Sequence, residues 1–196
     1  MKKGTIIIIV VIAAVAMLIM WAVGVRNGLV TEEETVNKEW ANVESQYQRR
    51  ADLIPNLVAT VKGYATHESE TLENVVEARS RATQVTVDPE NLTPEKMQEF
   101  QAAQGELSSA LGRLMMIVES YPDLKANENF LELQSQLEGT ENRIQVARGR
   151  YNEVAQTYNT SIRHFPKSMI ASLFGFERKP FFEAEAGADK APQVLF

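Results

Sequence analysis

The chain has 196 residues and no cysteine, which excludes disulfides, thiolate catalysis, thiol redox chemistry, zinc ribbons and a lipidated cysteine anchor. Its formal charge is −6; Lys2, Lys3 and Arg26 take three of the 20 basic residues, leaving 17 against 26 acidic ones over residues 27–196, a net −9. A domain that acidic has no general electrostatic footprint for DNA or RNA, so no nucleic-acid partner is expected.

The first element is Ile6–Val25, an uncharged run of 20 residues. As a helix it spans about 30 Å, the thickness of a bilayer's hydrocarbon core. Ile6, Val10, Ala14, Leu18, Trp21 and Val25 are its candidate membrane-anchor residues. A cleaved signal peptide is the alternative, with Ala14-Val15-Ala16 as a small-x-small site. Cleavage there would leave MLIMWAVGV as an apolar stump, so an uncleaved anchor is expected. Lys2 and Lys3 precede the span, whereas Arg26 alone follows it directly and is soon followed by Glu32, Glu33 and Glu34, so Lys and Arg are in excess on the N-terminal side. That bias predicts a cytoplasmic N-terminus, with the remaining domain across the membrane.

Beyond the anchor the chain reads as helix almost throughout, an all-α fold. Val36, Trp40, Val43, Tyr47, Arg50, Ile54, Leu57 and Val61 form a first seam with alternating steps of three and four. The phase is lost at Gly63, predicting a turn over 63–67. A weaker face follows at Leu72, Val75 or Val76, and Ala82. Thr93 and Pro94 mark the next helix start, and its seam is Met97, Phe100, Gln104, Leu107, Leu111, Leu114, Val118 and Tyr121. The longest seam runs from Phe130 through Leu133, Leu137, Thr140, Ile144, Ala147, Tyr151, Val154, Tyr158 and Ser161 to Phe165. Four helices with short connections favour an antiparallel up-and-down bundle. An even number of passes returns the last helix end to the side where the first left the membrane.

At that end lies FPKSMIASLFGFERKPFF, Phe165–Phe182. Met169, Ile170, Leu173, Phe174 and Phe176, flanked by Lys167, Arg178 and Lys179, suit a short segment on the bilayer surface. The alternative is a plug that closes the bundle end and touches no lipid. The expected organisation is therefore an N-terminus and anchor over 1–26, a bundle over 27–165, an apolar and basic segment over 166–182, and a loose tail over 183–196.

Within the first seam, RRADLIPNLV, Arg49–Val58, raises a separate question. Arg50 falls where an apolar residue is expected, and a charge facing a core is costly unless paired. Either Arg49 and Arg50 build an anion site or Arg50 is held in an ion pair; without a glycine-rich loop the pair is preferred. Pro55 deletes the bond to the Ala51 carbonyl, predicting a bend, with Asp52 and Asn56 as candidates to satisfy the freed groups.

Chemistry is hard to assemble from what remains. His67 and His164 are the two histidines; neither sits in HExxH, and the residues three before them are Tyr64 and Ser161, so a carboxylate-bridged di-iron pattern fails. No serine lies in a G-x-S-x-G elbow. Glu32-Glu33-Glu34 reads as a solvated acidic run near a helix start. No catalytic, cofactor or metal residues are assigned.

QRRADLIPNLVATVKGYATHE at Gln48–Glu68, EARSRA at Glu77–Ala82, the long stretch from YPDLKAN to AQTYN at Tyr121–Asn159, FPKSMIASLFGF at Phe165–Phe176 and the closing KAPQVLF together resemble the LemA family of bacterial membrane proteins. The resemblance covers nearly the whole chain. It implies a four-helix bundle attached to a bacterial inner membrane and no catalytic residues, and related proteins occur in magnetosome membranes. The function expected is a non-enzymatic scaffold that self-associates or binds another membrane protein, with Arg49, Arg50, Pro55, Asp123 and Lys125 as candidate interaction or structural residues. The alternative is a lipid-interacting or membrane-remodelling protein acting through Met169–Phe176.

Overall fold

The computed structural model describes residues 3–65 and 67–183. It holds six α-helices and, among the described residues, no strand: α1 Lys3–Lys62, α2 Ser69–Gln84, α3 Pro94–Val118, α4 Pro122–Lys125, α5 Glu128–Ser161 and α6 Lys167–Phe174, with a single 3-10 turn at Pro89–Asn91. The all-α class is as expected. The tail beyond residue 183, with the KAPQVLF motif, lies outside the described residues.

Helix α1 is 60 residues long, about 90 Å at 1.5 Å per residue. The division expected at residue 26 is a change of surroundings, not of backbone. Between Ile6 and Val23 the large apolar side chains are all exposed, and burial begins at Leu29. From there Leu29, Val36, Trp40, Val43, Tyr47, Arg50, Ile54, Leu57 and Val61 are buried, the first seam in full. This stripe packs mainly against α5 and, further along, against α2; α2 in turn packs on α3, and α6 on α1.

The turn after Lys62 falls where the heptad phase was lost, with Ala65 N–H donating to the Val61 carbonyl at 2.9 Å. In α2 the inward residue is Val75, whereas Val76 is exposed. Thr93 caps α3 as predicted, its hydroxyl accepting from Lys96 N–H at 3.3 Å with Pro94 in the first turn. The long seam is buried or half-buried down to Ser161, but Phe165 is 80% exposed. Helix α5 stops at Ser161, and Ile162 takes the core position instead.

YPDLKAN, which carries the candidate interaction or structural residues Asp123 and Lys125, fastens a helix connection. Leu124 is fully buried, and Asn127 caps α5 by accepting from Phe130 N–H at 3.1 Å. Asn127 Nδ2 also donates to the Tyr64 hydroxyl at 2.9 Å, and the Tyr121 hydroxyl donates to Glu68 Oε1 at 3.0 Å. The α3–α5 connection is thereby fastened to the α1–α2 turn. Asp123 is exposed, and Lys125 pairs with Glu119.

The core has two parts. One gathers Leu29, Trp40, Tyr47, Phe100, Ile144, Tyr151, Tyr158 and Phe182; the other gathers Ile54, Leu57, Val75, Leu107, Leu114, Leu124, Phe130 and Leu137. Along α1, α3 and α5 the break between them falls at Arg50, Gln104 and Thr140, all buried and all polar.

Candidate buried polar layer and membrane-proximal surface

Arg50 reaches this layer because it holds a seam position on α1, and it is 3% exposed. Its Nη1 donates to Ser108 Oγ at 2.8 Å and to Glu141 Oε2 at 3.0 Å. Its Nη2 donates to Gln104 Oε1 at 2.7 Å and to the Gln104 carbonyl at 3.2 Å. The guanidinium also lies 5.1 Å from the Tyr47 ring centroid. The expected ion pair is therefore present, with Glu141 on α5, itself 42% exposed, as the acid. Gln104 closes the layer by donating from Nε2 to the Ala82 carbonyl of α2 at 3.1 Å. One guanidinium and one amide thus join α1, α2, α3 and α5. A cleft of about 850 Å³ opens beside it, lined among others by Arg50, Gln101, Gln104, Ser108, Glu141 and Arg148. Arg49 is exposed and does not line the cleft, nor do His67 and His164, both exposed. The pair Arg49 and Arg50 therefore does not converge on one site.

Pro55 lies inside α1, and the carbonyl it leaves without an intrahelical donor is taken by another helix. Arg79 Nε of α2 donates to the Ala51 carbonyl at 2.7 Å. Asp52 and Asn56, the expected partners, are engaged otherwise: Asp52 Oδ1 accepts from Gln48 Nε2 at 2.7 Å, and the Asn56 carbonyl accepts from the Thr60 hydroxyl. The sequence signal was the arginine-bearing EARSRA motif, but nothing in its spacing points at residue 51.

At the end of the packed helices nearest the apolar run, α6 lies against α1. Arg26 places its guanidinium 5.2 Å from the Phe174 ring centroid. Lys167 Nζ lies 2.9 Å from Ser161 Oγ and 3.4 Å from Glu32 Oε1. Ile170 and Ala171 face inward and are buried; Met169, Leu173 and Phe174 face out. Gly175 ends the helix at φ +74°, a left-handed conformation that favours glycine, with Phe176 N–H donating to the Ala171 carbonyl. Among the anchor candidates Ile6, Val10, Ala14, Leu18 and Trp21 are exposed, while Val25 already packs on the core.

From Gly175 the chain runs as an extended strap. Asn159 holds it by a two-way bond to the Lys179 backbone, Nδ2 to O and N–H to Oδ1, both 2.8 Å. Asn152 does the same for Phe182, at 3.0 and 2.9 Å. Phe182 stacks on Trp40 with centroids 5.7 Å apart. This corrects the expectation for Lys179, which is 6% exposed and pairs with Glu33 at 3.0 Å rather than facing headgroups. Phe176 is half-buried against the core, and Arg178 is exposed. The segment is thus both plug and surface: Ile170, Lys179 and Phe182 go in, whereas Met169, Leu173 and Phe174 do not. Burial, followed by the nearby Glu33 carboxylate, pushes the Tyr158 phenol well above its ordinary range.

The chain is similar to known proteins over most of its length. The LemA family is matched over residues 39–196. Magnetosome protein MamQ 2 of Paramagnetospirillum magneticum is 28% identical over 196 residues, covering 91% of this chain and 71% of the relative. Magnetosome protein MamQ of Magnetospirillum gryphiswaldense is 27% identical over 189 residues, covering 86% and 70%. Protein LemA of Metamycoplasma hominis is 25% identical over 162 residues, covering 83% and 70%. A helical chain with one N-terminal span candidate, matched over most of its length, belongs to the LemA family.

Proposed function

We propose that the protein is a non-enzymatic, single-span scaffold of a bacterial inner membrane. Its N-terminus lies in the cytoplasm, and an antiparallel up-and-down four-helix bundle of α1, α2, α3 and α5 stands on the extracytoplasmic side. There it self-associates or binds another membrane protein. The observation that carries this reading is the continuity of α1 from Lys3 to Lys62. With no flexible linker after the anchor, every copy presents the same bundle faces at the same angle to the bilayer. That lowers the orientational cost of association and keeps the effective concentration high, so weak lateral contacts suffice. Lys2 and Lys3 before the span, against the single Arg26 directly after it, support the orientation. Relatives named as magnetosome proteins support a membrane setting.

The test is the mass of the full-length protein in native membrane particles, beside a variant with a Gly-Ser linker inserted after Arg26. A discrete assembly that shrinks in the linker variant is expected. A monomer at every surface density, with no partner crosslinked in cells, would refute the scaffold. A second reading, a lipid-active protein working through Met169–Phe176, is favoured by the exposed outer face of α6.

A further inference from the structure

We infer that the outer face of α6 is a lipid-contact site that docks on an anionic bilayer surface beside the anchor. The inference rests on the reading of Ile6–Val25 as a membrane span and gives that span a second, peripheral foothold. Met169, Leu173 and Phe174 are 63%, 75% and 51% exposed within one eight-residue helix, and Phe165 precedes it. Outside the 6–23 run, the exposed large apolar residues of the bundle helices are scattered singly: Val76, Met116, Leu131 and Val146. Single exposed residues need no partner, whereas a cluster does.

The occupant follows from position. Arg26 is the first residue after the apolar run and its guanidinium sits over Phe174, so that ring is held at the boundary where hydrocarbon gives way to headgroups. Glu32, six residues further along α1 and roughly 9 Å higher, contacts Lys167 at the start of α6. Helix α6 therefore descends toward the bilayer from Lys167 to Phe174. An apolar helix face at that level enters the headgroup and acyl boundary to a depth of about 5–10 Å. The surface is continuous with the span, so a lipid reaches it with no further fold.

Charge selects the lipid. Lys167 and Lys179 are engaged by Glu32 and Glu33, which removes those two acids from the account. Arg26, Arg163 and Arg178 then outnumber the exposed Glu34 and Glu177 at this end. Basic side chains at a bilayer surface favour anionic headgroups.

The absence of cysteine allows single labels on the full-length protein. Ser172→Cys on exposed α6, Leu18→Cys in the span and Met116→Cys on α3 would each carry an environment-sensitive fluorophore in vesicles with acyl-brominated phospholipid. Quenching at residue 172 is expected to be at least about twofold stronger than at residue 116, and Leu173→Glu or, independently, Met169→Glu lowers it to the level at residue 116. Brominated phosphatidylglycerol should quench more than brominated phosphatidylcholine at equal mole fraction, and Arg163→Gln with Arg178→Gln should remove that excess. Quenching at residue 18 without quenching at residue 172 overturns the docking while leaving the span intact, and points to a protein covering α6. No quenching at residue 18 overturns the span and the docking together. Equal quenching by the two lipids overturns the anionic preference.

Discussion

Replacing Arg50 by Met keeps most of the side-chain volume and removes every donor. Four hydrogen bonds are lost, but their consequences differ. The Gln104 carbonyl keeps the Ser108 hydroxyl, which donates to it at 3.2 Å. Glu141 is 42% exposed and returns to water. Gln104 Oε1, in a residue only 7% exposed, is left without its 2.7 Å donor. One buried orphan acceptor costs about 1–3 kcal/mol, and the pair with half-exposed Glu141 adds little after screening. The helical domain should therefore lose about 2 kcal/mol, which for a domain of this size lowers Tm by roughly 4–8 °C. Far-UV circular dichroism of the full-length protein in lipid discs reads this directly. Adding Gln104→Leu removes that orphan and joins the two apolar clusters but frees the Ala82 carbonyl near the end of α2, so the double variant should recover part of the loss, less than about half of it. An unchanged Tm in Arg50→Met, or no recovery in the double variant, would refute the assignment of the cost to Gln104.

Arg79→Ala should cost about 1–2 kcal/mol because it orphans the Ala51 carbonyl; in a Pro55→Ala background, where residue 55 supplies an N–H, the same substitution should cost less than half as much in denaturant titrations. Asn127→Ala should lower stability by about 1 kcal/mol through loss of the α5 cap, with amide exchange rising first over residues 122–130. Burial raises the Glu44 carboxyl above 4.5, only partly opposed by the Trp40 indole. Its folded form thus favours the proton, and the contribution to stability is greatest below 4.5 and falls as pH rises through the folded value. Glu44→Gln should accordingly raise Tm at neutral pH and lose that gain in acid; a gain independent of pH would argue against titration of this group.

The seams were legible because a step of three or four residues is a property of one helix alone. Val36 to Val61 and Met97 to Val118 bury nearly as their periodicity requires. Arg50 was legible as an exception to that pattern, since a charge on a seam implies a partner. What the sequence did not disclose depends on helix-to-helix register. Arg79 meets Ala51 across 28 residues, and Gln104 meets Ala82 across 22, through positions no local pattern singles out. Lys179 was read as a surface cation because apolar residues surround it in sequence. Its burial depends on Glu33 and the Pro89 carbonyl, which only the fold brings near. The fastening role of YPDLKAN was hidden for a similar reason: short polar segments that fasten turns have no periodicity to reveal their task.

The strap has one more implication. Asn152 and Asn159 lie two helical turns apart, about 10.5 Å along α5, and Lys179 and Phe182 are three extended residues apart, about 10 Å. The two repeats are commensurate, and both asparagines grip main chain rather than side chain. Sequence drift at Phe181 should therefore be tolerated, whereas insertion or deletion of a single residue between 179 and 182 should not. Among LemA chains, the spacing of this strap is expected to vary less than the residues that fill it.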